Sequence, residues 1–127
     1  MRAETQLRAF VSLVAAHSLA IGIGLVAIPD FATTFAGFGP VRPLFFARQA
    51  GAFHLVLATG YLLDARRGAV GFLVAAKLLA FVFLGWAVLG GGAPWSVAFS
   101  GAADGLMGVG ALWFERRARR SRGTPAS

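Results

Sequence analysis

Five ionisable side chains interrupt otherwise apolar stretches of this sequence: His17, Arg48, His54, Lys77 and Asp104. A charge placed in hydrocarbon costs about 2.5–3.5 kcal/mol on insertion scales, so each should face protein or water and have a partner. Lys77 and Asp104 can pair, and paired both can stay ionised. The two imidazoles can donate, accept or relay protons. Arg48, next to Gln49, either extends to the outer membrane interface or turns inward as an anion-binding donor. A metal site is not expected, because no Glu-x-x-His or His-x-x-x-His pairing supports one and Lys77 would add a competing charge. No G-x-S-x-G, H-E-x-x-H or Walker pattern occurs. Gly22-Ile23-Gly24 follows no strand and reads as a helix-packing feature. No catalytic residue and no cofactor is assigned.

The elements that must position these residues follow from composition. The 127 residues are 57% hydrophobic and 13% charged, against roughly 25% charged in soluble domains. Mean hydropathy is +0.72. This excludes a disordered chain and a disulfide-stapled secreted module. The absence of cysteine excludes thiolate catalysis, Fe–S clusters and Cys-ligated zinc. A pI near 11.8 would point to nucleic acid if the cations covered one folded face. They sit instead at the ends of apolar runs, and no nucleic-acid partner is expected.

Four runs approach the ~20 residues needed to cross a bilayer core: about 7–28, 44–63, 69–89 and 97–114. In lipid the backbone must satisfy its own hydrogen bonds, so these runs predict helices. Breaks fall at Pro29-Asp30, at Gly37 to Pro43, at the charged turn Asp64 to Gly68, and at Gly90 to Pro94. Phe31, Phe35 and Phe38 recur at helical spacing and predict a short helix lying in the interface. The first run is longer than a signal-peptide core and lacks an A-x-A site, so it reads as a span. The expected fold is all-α: an integral membrane four-helix bundle, antiparallel up-down-up-down, over residues 1–116. A basic cytoplasmic tail follows over 117–127, and its residues 123–127 read as disordered.

Arginine bias sets the expected orientation. Arg2, Arg8, Arg66, Arg67, Arg116, Arg117, Arg119, Arg120 and Arg122 share one side, against Arg42 and Arg48 on the other. Both termini are therefore expected in the cytoplasm, with the protein multi-pass in the cell (inner) membrane. Trp86 and Trp95 fall at the outer boundary, and Tyr61 and Trp113 at the inner one. At ~1.5 Å per residue, His17, His54, Lys77 and Asp104 all lie about 12–15 Å from the cytoplasmic edge. Each span thus contributes one titratable group to a shared midplane layer, while Arg48 lies higher, at about 22 Å. Asp104 shares a face with Gly101, Gly105 and Gly108, and small residues let helices approach closely. Ala47, Ala50, Gly51, His54 and Ala58 make a second small-residue stripe.

The span count, the Arg48-Gln49-x-Gly51 opening of the second run, the charged turn after it and Asp104 in the last run resemble the DoxX-like bacterial membrane proteins and related four-helix families of unknown function. The resemblance covers most of residues 7–116. It implies a membrane bundle, and a link to redox partners or small hydrophobic molecules. Lys77 has no place in that pattern.

Two functional readings stand side by side, with a membrane enzyme using histidine as acid or base as a third. In the first, the protein binds or moves a small, mainly apolar or weakly acidic molecule, with His17, Arg48, His54, Lys77 and Asp104 as ligand-binding or proton-relay residues. In the second, it is a non-catalytic structural or accessory membrane subunit whose polar layer only fixes helix packing. The expected partners are the lipid bilayer and a small-molecule ligand, and beyond these a second copy of the chain or another membrane protein.

Overall fold

The computed structural model describes residues 2–122. Among these there are five helices and no strand: α1 (Arg2–Ala27), α2 (Pro29–Phe35), α3 (Leu44–Arg67), α4 (Gly71–Leu89) and α5 (Trp95–Arg122). Three of them, α1, α4 and α5, are long and apolar enough to cross a membrane. The fourth expected span, α3, has the length at 24 residues. Arg48, Gln49 and His54 fall within it and lower its apolarity, and it is not among the three.

Every break lies at a predicted stop, but the helices run further than the apolar runs. Pro29 opens α2 at a position where its missing N–H is no loss. α3 continues through the charged turn to Arg67 and ends on Gly68, whose φ of 63° is the left-handed cap. The Ala69 N–H there donates to the Asp64 carbonyl at 2.9 Å. The Asp64 side chain then accepts the Leu73 N–H at 3.0 Å, satisfying an orphan donor in the first turn of α4. α5 runs through the expected boundary at 116 as one helix to Arg122. Two ion pairs hold that extension: Arg119 with Glu115 at 2.8 Å, one turn apart, and Arg122 with Glu4 of α1. The disorder expected for residues 123–127 lies outside the described residues.

α1 packs along α3, α3 against α4, α4 along α5, and α5 against α1. Glycine makes the closest seams. A Cβ on Gly51 would lie 2.9 Å from the Gly22 carbonyl oxygen, so the α1 and α3 backbones nearly touch there. The α5 glycines face α4: Gly101 lies against Leu84, Gly105 against Phe81 and Gly108 against Lys77. This seats Asp104 on the α4 side of its helix.

The packed core gathers Leu7, Val11 and Val14 of α1, Tyr61 and Ala65 of α3, Leu73 of α4, and Ala111 and Ala118 of α5. These come from the start of α1, the end of α3, the start of α4 and the end of α5. Large apolar side chains outside that core stay exposed, among them Leu79 at 73% and Leu89 at 86%. A surface this apolar suits lipid rather than water.

Candidate functional site

Beyond the packed core the helices line a partly open pocket of about 330 Å³, with exposed Phe38, Phe83 and Phe99 at its rim. His17 from α1, His54 from α3, Lys77 from α4 and Asp104 from α5 all line it. The four titratable residues expected at one level thus meet around a single space.

The cavity is built by helical phase. Asp104 follows Gly101 by three residues and precedes Gly108 by four, so the close α4–α5 seam carries it toward Lys77. Lys77 Nζ donates to Asp104 Oδ1 at 2.5 Å. The two side chains are only 5% and 13% exposed. Lys77 Nζ also stands 5.7 Å from the Tyr61 ring centroid, within cation–π range. His17 is the most open of the four, and His54 is half-buried. The His54 Nδ1 atom is buried without a hydrogen-bond partner, and so is the hydroxyl of Ser18. The rest of the wall is largely apolar, with Ile21, Leu57, Phe83 and Leu84 lining it, and Ser96 and Ser100 add hydroxyls from α5.

Arg48 does not join the group. It is exposed and is not among the cavity-lining residues. Its charge acts instead on Asp30, outside the spans. Asp30 is held mainly by Arg42, which grips both carboxylate oxygens, the second at 3.1 Å. That bond, with the Arg42 charge, keeps the Asp30 carboxyl below the usual carboxylate range.

Tyr61 joins the wall of the site, a place the sequence reading did not assign to it. Expected at the inner membrane boundary, it is 1% exposed, lies against Phe72 at 5.7 Å between ring centroids, and lines the cavity. The signal was present, because Tyr61 follows His54 by seven residues and Ala58 by three, on the same helix face. Phe38, expected to share a short interfacial helix with Phe31 and Phe35, lies beyond the end of α2 at Phe35. It too lines the cavity, although it is itself 56% exposed. Gly37, at φ 86°, turns the chain there, and a Cβ on it would meet Pro94 and Trp95 at 3.1 Å. Among the described residues no group of three His, Cys, Asp or Glu forms a metal-holding cluster.

Among the described residues, fold and site together define an all-helical arrangement with three helices fit to cross a membrane and a partly polar pocket between helices. No protein-family description, curated protein or solved structure matches the chain.

Proposed function

We propose that this is an integral membrane protein of the cell (inner) membrane that binds or moves a small, mainly apolar or weakly acidic molecule in its interior. In this reading α1, α3, α4 and α5 cross the bilayer as an antiparallel bundle, up-down-up-down, with both termini in the cytoplasm. α3 crosses despite its polar residues because His54 turns to the cavity and Arg48 lies near one end. Arginine bias supports the orientation. The resemblance to DoxX-like proteins is part of the proposal and rests on the Arg48-Gln49-x-Gly51 segment, the charged turn and Asp104.

The observation that carries the reading is the convergence of His17, His54, Lys77 and Asp104, from four helices, on one cavity of about 330 Å³. Small-molecule sites are typically concave, largely apolar spaces of ~300–1,000 Å³ with a few convergent polar groups. In this reading Lys77 and Asp104 set the polar end of the site. His17 and His54 exchange hydrogen bonds or protons with the occupant.

The closed Lys77–Asp104 pair favours a second reading, in which the polar layer only fixes helix packing in an accessory subunit. Mass spectrometry of small molecules carried through purification separates the two. Wild type should retain a molecule that the cavity-filling variant Ala80→Trp loses. Retention by both proteins, or by neither, contradicts the binding reading.

A further inference from the structure

The charge on the cavity wall is already balanced. Lys77 Nζ lies 2.5 Å from Asp104 Oδ1, and both side chains are largely buried. With both histidines neutral the layer carries no net charge. An incoming carboxylate would find no free cation. It would have to lie beside Asp104 or displace it, and burying an uncompensated charge is costly. Arg48 is exposed and lies away from the cavity, and Arg8 is not among the lining residues either.

Hydrogen-bonding capacity on the same wall is, by contrast, unspent. Among the described residues, His17, His54 and Tyr61 make no side-chain hydrogen bond. His54 Nδ1 is buried with no partner, a cost that a turn of the ring toward an occupant can relieve. A neutral imidazole offers one donor and one acceptor, and a phenol hydroxyl offers both. These match a hydroxyl or carbonyl on an uncharged molecule. The remaining wall, including Ile21, Phe83 and Phe99, is apolar. The volume is near the low end of small-molecule sites, which suits a molecule of one or two fused rings.

We infer that the cavity selects a neutral, mainly apolar molecule bearing a hydroxyl or carbonyl, bound at His54 and Tyr61 while Lys77 and Asp104 stay paired. This rests on the binding reading above and narrows it by removing the acidic class.

The test uses two probes with the same ring system, 1-naphthol and 1-naphthoate. At neutral pH the first is uncharged and the second ionised. Binding of each to the full-length protein in detergent is measured by calorimetry, with the Ala80→Trp variant subtracted to remove micelle partition. Wild type should bind naphthol, and naphthoate at least about tenfold more weakly. Asp104→Asn leaves Lys77 without its carboxylate, and a naphthoate carboxylate can take that place. This variant should narrow or reverse the preference. Equal or tighter naphthoate binding by wild type overturns the selectivity and leaves the binding reading standing. Binding of neither probe above the Ala80→Trp background overturns both. The wild-type comparison decides the matter even if Asp104→Asn does not fold.

Discussion

The two halves of the molecule use the same helices in opposite ways. Toward one end, Leu7, Val11, Leu73 and Ala111 are at most 1% exposed and meet in a filled core. Toward the other, the same four long helices separate around a cavity walled by Phe83, Leu84, Ser96 and Ser100. Lys77, Tyr61 and Asp104 mark the border. The filled half fixes the helices, so the hollow half need not be packed to stay in place. Interior packing is normally dense, so a pocket of this size is a local opening in it. Where a chain sustains one, stability and function can be probed by separate substitutions.

The largest expected effect lies at the border. Lys77→Met or Asp104→Asn alone strands one buried charge and should cost about 3–5 kcal/mol. The combined exchange removes both charges and should recover most of that loss. Thermal unfolding in detergent reads all three variants. If the double variant is as unstable as the sum of the singles, the pair is not acting as a unit.

Next comes a matched truncation. Leu73→Ala in the filled half should cost about 2–5 kcal/mol, because its neighbours cannot close over the gap. Leu84→Ala, which only enlarges an existing space, should cost clearly less by the same measurement. Equal losses would mean that the hollow half is as tightly packed as the filled one.

The reverse substitutions sharpen the contrast further. Ala111→Leu forces a larger side chain into a site with no exposed surface and should cost about 1–3 kcal/mol. Ala103→Leu points added volume at the cavity and should leave the unfolding temperature nearly unchanged.

The smallest effect belongs to the exposed pair of Asp30 and Arg42, which are 53% and 58% exposed. Such pairs contribute little and are screened by salt. Arg42 lowers the Asp30 carboxyl below its unfolded value. The stabilisation is therefore present above the ordinary carboxylate range and is lost as pH falls through the lowered one. A small stability gap between wild type and Arg42→Gln should appear at neutral pH and vanish in acid. A gap that persists in acid would assign the effect to packing rather than to charge.

Much of this border was legible in the sequence, and particular residues show why. The Gly101, Gly105 and Gly108 spacing located the face of α5 that meets α4, and so pointed Asp104 at Lys77. Counting residues from the helix ends put the four titratable groups at one level, and all four line one cavity. Tyr61 was not read as a core and wall residue because the apolar run stops near residue 63, whereas α3 continues to Arg67. A tyrosine at the end of a hydropathy run looks interfacial; two turns inside a helix, on the His54 face, it is core. Phe38 was expected on the short interfacial helix with Phe31 and Phe35, but α2 stops at Phe35. Its position depends on how the chain after α2 turns back over Pro94 and Trp95, a long-range contact that no local pattern encodes. Gly22 and Gly24 look alike in sequence, yet only Gly22 meets α3 closely, because helical phase sets Gly24 on a different face.

The convergence of four helices on one cavity is most directly tested by paired-cysteine bridging in membranes, which the absence of native cysteine makes clean. A short bifunctional maleimide should bridge His17→Cys to Ala103→Cys, and His54→Cys to Ala80→Cys, within single chains. It should not bridge Leu13→Cys to Leu79→Cys, both on exposed outer faces. Failure to bridge the cavity pairs, under conditions where each thiol reacts singly, would contradict the account.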